Sequence, residues 1–126
     1  MGTFRRPVRV GRLDGSAFET LEALVDTGST YTWVPRPVLE RLGIAPTTRR
    51  RLELADGSIV ERTAGQVLIT VDGETVFTLC IFGDPDSMAL LGAVTLEECG
   101  LAPDPVRQRL VPVIGLQAVA SQGRSL

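Results

Sequence analysis

The chain contains no histidine, no lysine and no asparagine, so its thirteen basic residues are all arginine. Without histidine, Ser-His and Cys-His nucleophilic catalysis are excluded, and the commonest zinc ligand is missing. Without lysine there is neither Schiff-base chemistry nor a phosphate-loop lysine. Cysteine is scarce. Cys80 and Cys99 stand far apart with no C-x-x-C pair, and Cys80 falls in the apolar run Val76–Phe82, where it reads as a small core residue rather than half of a disulfide. No metal site and no cofactor are expected. No apolar run approaches the ~20 residues of a membrane span. The three arginines near the N-terminus are not followed by the apolar segment of a secretory signal. Met1-Gly2 opens like a myristoylation site, but Arg6 occupies the position that requires Ser or Thr. A cytoplasmic protein without a membrane partner is the expectation. The net charge of −2 argues against a nucleic-acid partner, and the one basic run, Arg49-Arg50-Arg51, reads as a solvated strand entry. Carboxylates are left as the leading groups for acid–base chemistry.

What is present fits one folded domain. The 126 residues are 44% hydrophobic and 22% charged, enough for a core and too apolar for disorder. Val8–Leu13 and Ala17–Val25 read as strands joined at Asp14-Gly15. The same dipeptide recurs at Asp56-Gly57, between Arg51–Ala55 and Ser58–Arg62, and at Asp72-Gly73, between Gln66–Val71 and Glu74–Phe82. Asp-Gly between apolar runs is a strong hairpin signal, because the turn needs positive φ. Three of them predict an all-β, mainly antiparallel domain over residues 1–116, with a flexible tail over 117–126.

Two short helices interrupt the strands. Pro37–Leu42 opens on a proline suited to the first helical position and stops at Gly43; Ala93–Cys99 stops at Gly100, with Thr95 and Glu98 spaced for a capping box. Ala102–Pro105 is predicted to be a loop and Arg109–Val113 a last, edge strand, because Pro112 does not suit a sheet interior. A weak internal repeat also emerges. Val38–Ile44 and Thr95–Leu101 both read x-Leu-Glu-x-x-Gly-apolar, or close to it, and each lies downstream of Ala-Leu-apolar, at Ala23–Val25 and Ala89–Leu91.

The informative stretch is Ala23–Thr30, an apolar run that ends in Asp26-Thr27-Gly28-Ser29 before apolar residues resume at Tyr31, Trp33 and Val34. Leu24-Val25-Asp26-Thr27-Gly28-Ser29 resembles the apolar-apolar-Asp-Thr-Gly-Ser/Ala signature of aspartic proteases. Ala89-Leu90-Leu91-Gly92, followed by a helix, looks like the second, apolar-apolar-Gly motif of the retropepsin-like, single-lobe members, and the chain is similar to the small ones of bacteria and archaea. The likeness spans roughly residues 5 to 115.

That resemblance implies a closed single-lobe barrel with one or two short helices and a flap hairpin. It also implies an aspartic endopeptidase in which two carboxylates sharing a proton activate water and protonate the peptide carbonyl. The chain has one such Asp, and Gly92 stands where a second repeat would carry another. The expected active form is therefore a homodimer with Asp26 from each subunit at the axis. The resemblance makes Asp26 the catalytic residue. Thr27 matches the threonine that bonds across the dimer axis, Gly28 the glycine whose N–H reaches the carboxylates, and Ser29 the residue able to bond the outer oxygen of Asp26. The hairpin Leu54–Ile59 lies where the family has its flap, so Thr30, Ala55, Asp56, Gly57, Ser58, Ile59, Leu91 and Gly92 are the implied peptide contacts. Terminal strands often form the family's interface, and Arg5–Val8 and Arg109–Val113 are the segments that would supply them. Retroviral members often pair an Arg after the second glycine with an acid after the first motif, and cellular relatives carry Asp or Asn one residue on; here those positions are Ala93, Thr30 and Val94. The alternative function is a silent module of the same fold that binds peptides or dimerises without cutting.

Overall fold

The computed structural model describes residues 3–115, so the predicted tail over 117–126 lies outside them. The strands are β1 (Phe4–Gly11), β2 (Phe18–Val25), β3 (Thr32–Pro35), β4 (Thr48–Glu53), β5 (Ile59–Val71), β6 (Glu74–Gly83), β7 (Ala89–Leu91), β8 (Leu101–Asp104) and β9 (Arg109–Pro112); the helices are α1 (Arg36–Arg41) and α2 (Ala93–Cys99). One sheet runs β1-β2-β7-β3-β6-β5-β4, and β1 also pairs with β5. That extra pairing closes six strands into a barrel and leaves β4 as a flange on β5. Most pairings are antiparallel, but β2 with β7 and β3 with β6 are parallel. The core fills the barrel with Val8, Val10, Val67, Ile69, Val71, Cys80 and Leu91, closed at the ends by Leu39 and Leu96. No helix is long and apolar enough to cross a membrane among the described residues.

The three Asp-Gly turns all form, and each glycine has positive φ, yet they are of two kinds. Asp72 itself is left-handed (φ 48°), giving the two-residue turn between Val71 and Glu74. At Gly15 and Gly57 the N–H instead closes a turn onto Arg12 and Leu54, and only the glycine is left-handed.

Several boundaries differ from the sequence reading. Ser58–Arg62 and Gln66–Val71 are one strand, β5, which serves β4 with its first half and β6 with its second. Gly65 lies inside it: a Cβ there would stand 2.6 Å from the Ala45 carbonyl, so the glycine admits a crossing chain rather than breaking the strand. Ala102–Pro105 is largely strand, not loop, because β8 pairs with β9 as an isolated two-stranded sheet. Both of its strands are edges, so Pro103 and Pro112 can turn their missing N–H outward.

The capping box at Thr95 and Glu98 does not form. The helix starts earlier, with Gly92 as N-cap and no side-chain cap. Its first free N–H groups go to a distant loop: Ala93 donates to the Ser29 carbonyl at 2.8 Å and Val94 to the Thr30 carbonyl at 3.0 Å. Thr95 is fully buried and joins a hydroxyl chain instead. The Gly92 N–H donates to Thr32 Oγ1, the Thr32 hydroxyl donates to Thr95 Oγ1 at 2.7 Å, and Thr95 and Thr78 bond at 2.8 Å. Removing one member strands buried polar partners. Thr95→Val is expected to lower stability by about 2 kcal/mol, read as the free energy of urea unfolding; an unchanged midpoint would show that the chain of hydroxyls is not needed.

Candidate active site

Strands β2 and β7 lie parallel with Ala23 opposite Ala89, Leu24 opposite Leu90 and Val25 opposite Leu91, the same residues that the internal repeat aligns. Asp26 and Gly92 are therefore equivalent positions at the ends of neighbouring strands. The loop after β2 is tied to the segment after β7 by backbone bonds: Asp26 N–H to the Leu91 carbonyl at 3.0 Å, and the two helix N–H groups described above. These bonds link Ser29 to Ala93 and Thr30 to Val94 without the charged pair expected of retroviral relatives.

Within the loop the half-buried Asp26 carboxylate accepts the Gly28 N–H on Oδ1 at 3.0 Å, and the Ser29 N–H donates to the Asp26 carbonyl at 3.1 Å. The Ser29 hydroxyl donates to the Tyr31 carbonyl at 2.8 Å and so is not directed at Asp26. Thr27 and Thr30 are exposed. The carboxylate borders two recesses. An open cleft of about 470 Å³ is lined by Asp26, Gly28, Ser29, Trp33, Glu53, Leu54, Ala55 and Leu90. On the other side, a recess of about 290 Å³ joins Asp26 and Thr27 to Phe4, Val25, Pro103 and Pro105.

The β4–β5 hairpin thus reaches the cleft with Glu53, Leu54 and Ala55, while Asp56, Gly57, Ser58 and Ile59 form its exposed far side. The Asp56 carboxyl is held below the usual carboxylate range, first by the Ser58 hydroxyl and then by its N–H. Leu91 and Gly92 do not line the cleft. Leu91 is fully buried and faces the core, and Gly92 lies behind the Asp26 loop. Side chains alternate along a strand, so Leu90 is the one presented, beside its cross-strand partner Trp33. Trp33, Glu53 and Leu90 were not among the sequence candidates, and Leu54 was named only as the start of the flap hairpin. No local signal marked Trp33 or Leu90: Ala89–Leu91 is apolar throughout, and only the fold buries Thr32, Val34, Ala89 and Leu91 on either side of them. Among the described residues no basic side chain lines the cleft. The thiols supply no rival nucleophile: burial pushes Cys80 up to about 12 and Cys99 up to about 11.

A family model described as "Aspartyl protease" matches residues 10–94. It spans most of the chain, both motifs and the hairpin between them, and the chain belongs to that family. No curated protein sequence matches it. Among solved structures, it is similar to the protease of Simian Foamy Virus (mac), a solution structure, with a TM-score of 0.51 and 21% identity over 73% of this chain and 92% of the viral one. It is also similar to a foamy viral protease-reverse transcriptase solved in complex with an RNA/DNA hybrid, with a TM-score of 0.57 and 14% identity; the match covers 93% of this chain but 13% of that much longer one. At these identities the likeness establishes the fold, which is that of a retropepsin-like protease.

Proposed function

We propose that the chain is an aspartic endopeptidase, active as a homodimer in which the two Asp26 carboxyls hold and activate the attacking water. The observation that carries this reading is the Asp26 loop itself. A carboxylate is fixed by the Gly28 N–H at the mouth of an open cleft, in a chain of the aspartyl protease family that has one such loop. A single carboxylate can serve as base or as acid, but the reaction asks for both at once, which a second copy supplies. The smaller recess at Asp26 and Thr27, bordered by Phe4 and by the prolines of the β8–β9 hairpin, is the surface this reading gives to that second copy. An extended peptide would lie in the larger cleft against Trp33, Leu54 and Leu90, favouring apolar residues beside the cut, with the β4–β5 hairpin closing over it as a flap.

Dimerisation is then part of the mechanism, and its test is dilution. Cleavage of a diverse peptide library, assayed from acidic to neutral pH, is expected to give a specific activity that falls as protein is diluted through the dimer dissociation constant measured by sedimentation. Activity per chain that stays constant in a fully monomeric sample excludes the shared site. A verified dimer that cuts nothing favours the silent peptide-binding module.

A further inference from the structure

The cleft holds a second carboxylate that peptide hydrolysis does not call for. Glu53, the last residue of β4, lines it together with Asp26, Trp33, Leu54 and Leu90. The other acids of this hairpin are engaged locally. Glu61 is held by Arg49 at 2.9 Å, and Asp56 accepts the Ser58 hydroxyl at 2.6 Å. Glu53 stands opposite the apolar Ile59 and makes no ion pair among the described residues. Of the arginines just before it, Arg49 goes to Glu61 and Arg50 donates to the Tyr31 hydroxyl and to Thr48, while Arg51 forms no ion pair with it among the described residues.

An unpaired carboxylate that shares an open cleft with an indole and two leucines has the makings of a site for a long cationic side chain. The alkyl stem of an arginine or lysine packs against apolar walls, its cation is attracted to the face of a tryptophan, and its head forms charge-assisted bonds to a carboxylate. We infer that Glu53 is a specificity-determining residue that selects peptides carrying Arg or Lys close to the bond to be cut; this rests on the peptidase reading above. The partnered acids elsewhere on the hairpin cannot do the same, and among the described residues no basic side chain lines the cleft beside Glu53.

The test uses the full chain as a dimer and a library of randomised dodecapeptides, with cut sites identified by mass spectrometry. Arg and Lys are expected to be enriched at one position near the cut. For the best Arg peptide against its Gln counterpart, the ratio of kcat/KM is expected to be about fivefold or more. Glu53→Gln should bring that ratio close to one, Glu53→Asp should keep part of it, and raising the salt to about 0.5 M should reduce it in the wild type. Cleavage with no basic preference, or a preference that Glu53→Gln leaves unchanged, overturns the inference while the peptidase reading stands. A verified dimer that cuts no peptide overturns both.

Discussion

Asp26→Asn is expected to reduce kcat for peptide cleavage by at least about 10³-fold while leaving folding and dimerisation intact, because in the proposed mechanism it removes the general acid–base group and little else. The asparagine is nearly isosteric, and its side-chain oxygen can still accept the Gly28 N–H that holds Oδ1 at 3.0 Å. The backbone bond from residue 26 to the Leu91 carbonyl involves no side-chain atom and persists. What disappears is the capacity to take a proton from water and return it. Kinetics on the best library peptide, beside sedimentation and thermal unfolding of the same sample, separate the loss of chemistry from a loss of structure. The variant should also act in trans: in large excess it draws wild-type chains into mixed dimers with one carboxylate and suppresses their activity. Activity within tenfold of wild type in the pure variant would falsify the assignment of Asp26.

Gly92→Ala is expected to cost about 3 kcal/mol or more of stability and to abolish activity with it. The position has φ −93° and ψ 175°, extended backbone that any residue adopts, so conformational freedom is not the reason for glycine. Space is. A Cβ would stand 2.4 Å from the Tyr31 carbonyl oxygen, 2.5 Å from its carbon and 2.9 Å from the Ser29 carbonyl oxygen. All three are backbone atoms of the loop that carries Asp26, and none can swing away as a side chain would. Relief requires that loop to leave α2, breaking the bonds from Ala93 to Ser29 and from Val94 to Thr30. Overpacking against backbone lies at or beyond the upper end of the usual range for added methyl groups. A fall of roughly 10 °C or more in the unfolding midpoint is the expected reading, and a midpoint within a few degrees of wild type would show that the loop tolerates displacement.

Both predictions come from one arrangement. The Asp26 loop is not supported by its own strand alone. It hangs on the equivalent segment after β7, which supplies the Leu91 carbonyl and the first N–H groups of α2. The buried hydroxyls of Thr32, Thr95 and Thr78 sit behind that junction and hold Gly92. In the repeat-equivalent position to Asp26 the chain has therefore placed a residue whose whole function is to let the loop come close.

Local chemistry made much of this legible in advance. Asp-Gly dipeptides mark hairpins because glycine reaches positive φ at no steric cost, and Gly43 and Gly100 mark helix ends for the same reason. Val25-Asp26-Thr27-Gly28 carries its meaning in four consecutive residues, so the family motif and its single copy were readable without coordinates. The alignment of Ala23–Val25 with Ala89–Leu91 even named the strands that pair. Long-range geometry was not readable. Gly65 and Gly92 are glycines because carbonyls from elsewhere in the chain pass against them, and nothing in their neighbouring residues records that approach. Thr95 looked like a cap because its spacing to Glu98 is local, whereas its true partners, Thr32 and Thr78, lie on other strands. Glu53, Trp33 and Leu90 meet in one cleft only because the β4–β5 hairpin returns to the Asp26 loop. The sequence by itself determined the turns, the acid and the family, since each is written in contiguous residues; the tertiary structure alone decided which side chains surround that acid, because closing a barrel brings together strands that share no local signal.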